Sequence, residues 1–312
     1  MLIISELYGY LDRNNQVLIE AVYHKATNFI EDRAIVSDGT RFRVINKRNE
    51  TITYLDIDSA TDFVEGFALI AKEGKFGYIA LDGSMACPPQ YPGASGYSEG
   101  KAIVSIQSGF GVIDTSGLLI IPFQYERLGS FKDNLAPFKA YGKKYGYINP
   151  TNDVVIEGAW DEAYEFSEKL AIVQSNDKYG VINSDGNVQV PPRYKYLSSF
   201  SEGLAVFQRN GKYGYINRDG EIVIDPIYKD AEPFGTNIAP VKVGGLWGFI
   251  DRSGSIILEP QFSYATRFGD EIAIVYLGNT IGHLDSNCEI HYYPQYLSVN
   301  PFLDGVARFQ SK

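Results

Sequence analysis

Residues 212–226 read KYGYINRDGEIVIDP, and they contain the main signals of secondary structure in this chain. An aromatic residue and a glycine lie inside a short apolar run, an Asp-Gly pair follows, and a β-branched run then leads to a proline. Asp-Gly between two apolar runs is typical of a β-hairpin, because both residues tolerate the positive φ of tight turns. The stretch therefore predicts two antiparallel strands joined at Asp219-Gly220.

The same stretch returns at a fixed interval, with the glycine as its marker. The nine marker positions are Gly9, Arg43, Gly77, Gly111, Gly146, Gly180, Gly214, Gly248 and Gly282, so glycine is missing in one unit. Each step is 34 residues except one of 35, whose extra residue lies between Tyr141 and Lys144. A constant period of this length predicts a repeat architecture. We therefore expect residues 1–312 to form a single repeat-array domain of nine units.

Each unit adds further aromatic positions and a third strand. One of these positions holds Phe or Tyr in every unit: Phe29, Phe63, Tyr97, Phe131, Phe166, Phe200, Phe234, Phe268 and Phe302. An apolar run such as residues 204–207 then leads through a turn into the next glycine strand. Strands that are apolar at successive positions are expected where both faces of a sheet are covered. The predicted fold is all-β, with tandem three-stranded antiparallel meanders stacked side by side in a propeller-like array.

The marker glycine and the proline have expected roles in these strands. A glycine inside a strand weakens it unless another group approaches closely. We expect each glycine to be the floor on which an aromatic ring of a neighbouring repeat lies. Proline cannot donate to a ladder, so it is expected to end the strand after the turn. These prolines are Pro88, Pro122, Pro191, Pro226, Pro260 and Pro294.

The stretch Leu-Trp-Gly-Phe-Ile-Asp at residues 246–251 and its Tyr-Gly and Phe-Gly counterparts resemble the WG-repeat family. The resemblance extends over essentially the whole chain. It implies a repeat scaffold from a family that is mainly bacterial, varies in copy number and has mostly unassigned function, and it carries over no catalytic residue. The chain departs from the pattern at Arg43 and at Ile281-Gly282-His283.

The two ends of the chain leave two arrangements open. Residues 306–310 form the first strand of a further unit, and Leu2, Ile3 and Ile4 occupy part of that same strand. In a closed nine-bladed ring the C-terminal strand completes the first sheet, as in propellers. In an open superhelix residues 2–4 fill that place. The variable copy number of the family slightly favours the open form.

Composition narrows the classes of partner. The net charge of −10 disfavours nucleic acid and anionic membranes, because both require a basic surface. The N-terminus has no signal-peptide pattern, and no apolar run reaches membrane-spanning length. We therefore expect a cytoplasmic protein, or a periplasmic or secreted one if a leader has been removed from the chain.

The sequence contains no pattern that is typical of a catalytic site. His24, His283 and His291 lack zinc-ligand spacing, and no phosphate-binding loop is present. Acidic pairs recur at Asp161-Glu162, at Asp230 and Glu232, and at Asp270-Glu271, because the loop that carries them recurs. Solvated loops explain them better than acid/base pairs do. We expect no catalytic, cofactor-binding or metal-ligating residue, and no enzyme.

Tyrosine is the residue type that the repeat explains least, with 23 copies. Tyrosine is favoured at interfaces, because it combines rigid apolar area with a polar tip. We expect a non-enzymatic scaffold that binds a protein or peptide partner through its inter-sheet loops. The candidate partner-binding residues are Tyr164, Tyr196, Tyr264, Tyr292 and Tyr293. Two alternatives stay open: a carbohydrate-binding protein with Trp160 and Trp247 as aromatic platforms, or an enzyme with one site in a central groove.

Overall fold

The computed structural model describes residues 6–269 and 272–312, and these residues form β-strands and turns without any helix. The strands of the first half are β1 (Tyr8–Asp12), β2 (Val17–Tyr23), β3 (Lys25–Ala26), β4 (Ala34–Ser37), β5 (Phe42–Ile45), β6 (Thr51–Leu55), β7 (Ser59–Val64), β8 (Phe67–Lys72), β9 (Lys75–Ala80), β10 (Met85–Tyr91), β11 (Gly93–Ala94), β12 (Lys101–Ile106), β13 (Gly109–Asp114), β14 (Leu119–Tyr125), β15 (Arg127–Leu128), β16 (Ala136–Lys139), β17 (Tyr145–Ile148) and β18 (Val154–Trp160).

The strands of the second half are β19 (Glu162–Ala163), β20 (Leu170–Ser175), β21 (Lys178–Asn183), β22 (Val188–Tyr194), β23 (Leu204–Arg209), β24 (Lys212–Asn217), β25 (Ile222–Tyr228), β26 (Asp230–Ala231), β27 (Ile238–Val243), β28 (Leu246–Asp251), β29 (Ile256–Phe262), β30 (Tyr264–Ala265), β31 (Ile272–Leu277), β32 (Thr280–Asp285), β33 (Ile290–Tyr292), β34 (Tyr296–Val299) and β35 (Val306–Ser311).

The chain divides into two compact units, Met1–Gln124 with Tyr293–Lys312, and Tyr125–Tyr292. The first unit holds four sheets, in the strand orders β2-β1-β35-β34, β3-β4-β5-β6, β10-β9-β8-β7 and β11-β12-β13-β14. The second unit holds five, β15-β16-β17-β18, β19-β20-β21-β22, β23-β24-β25, β26-β27-β28-β29 and β30-β31-β32-β33. The expectation of one repeat-array domain stays a prediction.

The sheets are the predicted antiparallel meanders with one short strand added in front of most of them. In one sheet, β19 pairs with β20 through Glu162↔Gln174 and Ala163↔Val173. In the β23-β25 sheet a single bridge, Leu197↔Phe207, stands in the same place. Two residues are too few to give an apolar period, which is why the sequence indicates three strands and not four.

The marker glycine lies under the backbone of its own sheet. Between β24 and β25 the pairs Tyr213↔Tyr228 and Tyr215↔Ile224 leave one residue on β24 facing three on β25, which is a β-bulge. A Cβ on Gly214 would come within 2.5 Å of the Ile224 carbonyl oxygen. The expectation that a neighbouring repeat's ring lies on the glycine is therefore wrong for Gly214, because the bulge itself makes the close approach.

Five of the six prolines, Pro88, Pro122, Pro191, Pro226 and Pro260, lie inside the strand and not at its end. Pro226 is within β25, and its nitrogen would be 2.7 Å from a Cβ on Gly214. Each of these strands lies at an edge of its sheet, and proline is tolerated in an edge strand and at a bulge because no ladder hydrogen bond is lost there. The expectation that proline ends the strand is therefore wrong for these five prolines, whereas Pro294 does follow the end of β33.

The bulge also explains the one unit without glycine. In that unit β5 and β6 pair as Phe42↔Leu55, Arg43↔Tyr54 and Val44↔Thr53, with no shift across the marker position. No backbone folds over Arg43, so a side chain fits there. This unit therefore lacks both the marker glycine and the bulge over it.

The extra residue of the 35-residue step lies in the hairpin between β16 and β17. Lys139↔Tyr145 encloses residues 140–144, whereas Arg209↔Lys212 encloses a two-residue turn in another sheet. Gly142 adopts a φ of 68°, and its N–H donates to Glu126 at 3.3 Å. In that other sheet the pair equivalent to Lys139↔Tyr145 is Gln208↔Tyr213, which encloses four residues, so the hairpin of β16 and β17 holds one extra residue and has no counterpart of Arg209↔Lys212.

In five units the core contains two aromatic residues that meet, one after the marker glycine and one in the later aromatic column. Tyr215 and Phe234 lie with ring centroids 4.8 Å apart, and both are buried. The Tyr215 hydroxyl donates to the Glu232 carbonyl oxygen at 2.8 Å, which pairs its polar group. Tyr10 with Phe29 and Tyr147 with Phe166 repeat this contact at 4.6 and 4.9 Å.

The C-terminal strand completes the first sheet. β35 pairs with β1 over its full length, from Tyr8↔Gln310 to Asp12↔Val306, and β34 pairs with β35 on the other side. This is the strand exchange expected of the closed alternative, so the slight preference for an open superhelix is corrected. The role expected of Leu2, Ile3 and Ile4 falls outside the described residues.

Candidate functional site

The five candidate tyrosines have different surroundings. The exposed fractions of Tyr164, Tyr196 and Tyr264 are 40%, 42% and 52%, and Tyr292 is half-buried. Tyr293 is 1% exposed, and its hydroxyl donates to Asn15 Oδ1 at 2.8 Å. Tyr293 therefore belongs to the core, which corrects its assignment as a partner-binding residue.

The position of Tyr293 follows from a contact that other units also make. The Tyr125 hydroxyl donates to Asn152 Oδ1 at 2.6 Å, and Tyr23 donates to Asn49 in the same way. Tyr293 makes this contact from an earlier point in its unit than Tyr125 does. The repeat period of the sequence therefore did not predict this hydrogen bond of Tyr293.

Tyr164 and Tyr196 meet in one cleft of the second unit. Its lining residues are Tyr164, Ile172, Tyr179, Tyr196, Leu197 and Ser199, around a volume of about 230 Å³. Tyr164 and Tyr179 have ring centroids 6.2 Å apart, and Tyr196 lies 5.7 Å from Tyr213 of the following sheet. We call these six residues the tyrosine cleft. Tyr179 was not expected, because in sequence it appears as an ordinary scaffold aromatic.

Tyr164 occupies a position that serves the scaffold in other units. There a Ser or Thr hydroxyl accepts a hydrogen bond from a backbone N–H of the following strand, as Ser198 does from Val206 at 2.9 Å. Thr27, Thr61, Ser95 and Thr266 do the same. We call this the staple position. Tyrosine cannot make this bond, because its hydroxyl lies at the far end of the ring.

Three other units also lack the staple. In one of them Asn300 holds the position and its side chain donates to Asn28 at 3.0 Å, and the other two lack the staple for a reason inside the scaffold. Gly129 lies opposite Pro137 and Glu232 lies opposite Pro240, and proline has no N–H to donate. Tyr164 lies opposite Ile172, whose N–H is available. At Tyr164 the scaffold therefore gives up a hydrogen bond to present an aromatic ring in the cleft.

Tyr264 makes a separate aromatic pair. It lies opposite Tyr276 in the ladder of β30 and β31, and the two rings are 5.9 Å apart. Tyr264 does not line the tyrosine cleft, so the structure brings Tyr164 and Tyr196 together but not Tyr264 with them.

The electrostatics of the cleft keep its tyrosines neutral. Burial, followed by hydrogen bonding with Tyr179, raises the pKa of Tyr164 to about 12. Burial, and then the negative charge of Glu232, raises the pKa of Tyr196. The pKa of Glu232 is raised by burial and by Asp230, against a smaller lowering by Arg267. The cleft therefore offers uncharged rings beside an acidic group.

The acidic pairs have separate positions. Asp161 Oδ2 accepts the Asn176 N–H at 2.8 Å, and Asp161 Oδ1 lies 3.1 Å from Lys144 Nζ. Asp161 therefore holds a turn and is not paired with Glu162 for chemistry. Asp230 accepts the N–H of Ala231 at 3.0 Å. Asp270-Glu271 lies outside the described residues.

The histidines and other ligand-type residues do not converge. His283 is buried in β32 and lies opposite His291 in β33. Within residues 6–269 and 272–312, no three His, Cys, Asp or Glu side chains are placed to hold a metal ion. The same residues contain no helix long and apolar enough to cross a bilayer.

The two tryptophans are scaffold residues. Trp247 is 6% exposed, so it offers no platform to a sugar, which corrects that expectation. Trp160 is half-buried and packs against a core cluster, and its Nε1 is buried without a hydrogen-bond partner.

A second cleft of about 400 Å³ lies in the first unit, beside the strand that lacks the marker glycine. Thr40, Arg41, Phe42 and Tyr54 are among its lining residues. The Arg41 guanidinium already lies over the Tyr54 ring, 5.3 Å from its centroid, and Asp56 is ion-paired with Lys72. Tyr54 and Asp56 thus already interact with cationic side chains of the protein, unlike the rings of the tyrosine cleft.

The small meanders define an all-β repeat protein, and comparison with known proteins agrees. The model described as "WG containing repeat" matches residues 8–39, 42–76, 76–108, 110–143, 145–179, 179–213, 213–247 and 247–280. The chain therefore belongs to the WG-repeat family. The last unit, in which Ile281 precedes the glycine, is outside the matched residues.

Solved structures resemble the chain in fold. A eukaryotic initiation factor matches with a TM-score of 0.61 at 8% identity, over 93% of this chain and 96% of that one. The computationally designed Ika8 protein matches at 12% identity over 85% and 94% (TM-score 0.48), and BamB from Moraxella catarrhalis at 10% over 92% and 96% (TM-score 0.45). At these identities the likeness concerns the fold alone. No curated protein matches the chain.

Proposed function

We propose that this protein is a non-enzymatic scaffold that binds a protein or peptide partner in the tyrosine cleft. The observation that carries the proposal is Tyr164, which replaces a scaffold hydroxyl opposite an available N–H and forms a cleft with Tyr179 and Tyr196. Aromatic side chains gathered in a concave site are a common source of binding energy in interfaces. A function of this kind belongs to the site and not to the fold.

The experiment uses residues that other units hold at the same positions. Thr27 and Ser59 correspond to Tyr164 and Tyr196, so Tyr164→Thr/Tyr196→Ser removes both rings and restores the staple to Ile172. Immobilised wild-type and variant proteins are each exposed to a lysate of the source organism and to a displayed peptide library. Tyr141→Ser is the matched control, because Tyr141 is 57% exposed and lies in a hairpin outside the cleft.

We expect a specific ligand to bind the wild type and the control and to be lost in the double variant. The melting temperature of the double variant should be unchanged or slightly higher, because the restored hydrogen bond contributes about 1 kcal/mol. Equal capture by the wild type and the double variant would contradict the proposal. Capture of glycans in place of peptides would favour the carbohydrate alternative for the same cleft.

A further inference from the structure

Two units place a lysine of their own over the aromatic residue that precedes the marker glycine. Lys139 lies directly opposite Tyr145 in the ladder, with its Nζ 5.6 Å from the ring centroid. Lys242 lies opposite Trp247 in the same way, at 5.5 Å. Ammonium groups at this distance are attracted to the face of an aromatic ring. The fold therefore supplies a position from which a cation covers the ring, which we call the facing position.

In the sheets that form the tyrosine cleft, the facing position holds a neutral amide. Gln174 lies opposite Tyr179, and Gln208 lies opposite Tyr213. Among the residues that the structure describes, no lysine or arginine lies over either ring. Tyr164 and Tyr196 lie beside these rings instead, at 6.2 and 5.7 Å.

The charge around the cleft is negative, and Arg267 offsets it only in part. After burial, the charge of Glu162 adds to the rise in the pKa of Tyr164, and the charges of Glu232 and Asp230 add to that of Tyr196. Within the described part of the chain Glu232 makes no ion pair, and it is only partly exposed. A carboxylate in this position is costly unless a cation accompanies it.

We propose that the tyrosine cleft and the adjoining Tyr213 take lysine or arginine side chains of the partner, which occupy the places that Lys139 and Lys242 fill in neighbouring units. This inference rests on the proposed function, because it specifies the chemistry of the same site. The rings supply cation–π attraction, and Glu162, Asp230 and Glu232 supply the complementary charge. The partner is thus a peptide segment that carries basic residues.

The test introduces a lysine of this chain at the facing position of both sheets. In Gln174→Lys/Gln208→Lys the new ammonium groups should lie over Tyr179 and Tyr213 as Lys139 does over Tyr145, and compete with the ligand. Gln174→Met/Gln208→Met is the matched control, with a similar length and no charge. The probe is a fluorescein-labelled peptide that alternates lysine with serine, and its Nε-acetylated form is the neutral counterpart. Fluorescence anisotropy gives Kd at two ionic strengths.

We expect the lysine peptide to bind the wild type about tenfold more tightly than the acetylated peptide, and the lysine variant to lose about that factor while the methionine variant keeps it. Equal binding of the two peptides, or an unchanged Kd in the lysine variant, would overturn the inference. A peptide library separates this failure from that of the proposed function. Cleft-dependent binders without basic residues would refute the cationic ligand alone, and the absence of any cleft-dependent binder would refute both.

Discussion

The marker glycine is required because the edge strand of the same sheet bulges over it. A Cβ on Gly214 would meet the Ile224 carbonyl oxygen at 2.5 Å and the Pro226 nitrogen at 2.7 Å. Both are backbone atoms, which cannot move aside as the tip of a side chain can. The bulge of the neighbouring strand therefore requires glycine at this position, and Arg43 is tolerated in the unit where the bulge is absent.

Gly214→Ala should destabilise the fold by about 3 kcal/mol, as overpacking against fixed backbone does. Gly282→Ala is the control, because the nearest atoms to its Cβ are side-chain atoms of Ile290 and Tyr292 at 3.0 Å. The loss of stability in Gly282→Ala should be smaller, since these side chains can shift. Urea denaturation of the two variants measures the difference, and equal losses would show that the bulge does not demand glycine.

At the scale of elements, the hairpin turns depend on a side chain that accepts several backbone hydrogen bonds. Asp114 Oδ1 accepts from the Ser116 and Leu118 N–H groups at 2.9 and 3.0 Å, and from the Ser116 hydroxyl at 2.6 Å. Asn217 accepts from Asp219 and Glu221 in the same geometry. Aspartate and asparagine thus accept the same backbone hydrogen bonds in this turn, but only aspartate can be protonated in acid.

These turns predict a loss of stability in acid. The hydrogen bond from the Ser116 hydroxyl is the main cause that lowers the pKa of Asp114, and those from Ser84 and Ser253 lower the pKa of Asp82 and Asp251 in the same way. A carboxyl whose folded pKa is below its unfolded value of about 3.9 stabilises the fold above that value, and this stability is lost as the pH falls through the folded pKa. The triple variant Asp82→Asn/Asp114→Asn/Asp251→Asn should therefore lose less stability than the wild type between neutral pH and about pH 3.

Glu232→Gln is a control, because its effect on stability should depend on pH in the opposite direction. The pKa of Glu232 is raised, chiefly by burial, so its contribution is present below the unfolded pKa and is lost as the pH rises through the folded value. Glu232→Gln should accordingly stabilise the protein at neutral pH and have little effect in acid. Urea midpoints measured across the pH range test both variants. A triple variant with the acid sensitivity of the wild type would contradict the role of the turns.

The elements that the sequence predicts are those with a strong local signal. The period, the Asp-Gly turns and the aromatic positions give the three long strands of a unit, including β24 and most of β25. The two-residue strand β19 has no such signal. The meeting of Tyr164 with Tyr179 escaped prediction because both rings belong to periodic positions, and only the fold brings the end of β19 against β21. Tyr293 escaped it because its contact arises at an irregular position.

At the scale of the whole molecule, the two ends of the chain share one sheet. The Ser311 N–H donates to the Leu7 carbonyl oxygen at 2.8 Å, and β35 is the ladder partner of β1. Without β35, β1 would present an unpaired edge, which destabilises a sheet and invites aggregation. The stability of the first unit thus depends on residues from opposite ends of the sequence.

A circular permutant tests this dependence, because it keeps the pairing of β1 with β35 and changes the order of the chain. A Gly-Ser linker joins Lys312 to the N-terminus, and the new ends lie between Tyr141 and Gly142, in a hairpin that already accepts an extra residue. We expect its melting temperature to be within a few degrees of the wild type. A truncation after Gly305, which removes β35, should instead lose several kcal/mol, a large share of the roughly 5–15 kcal/mol that stabilises a domain. Calorimetry and size-exclusion chromatography compare the three proteins, and a truncated chain as stable and monomeric as the wild type would show that β1 does not need its C-terminal partner.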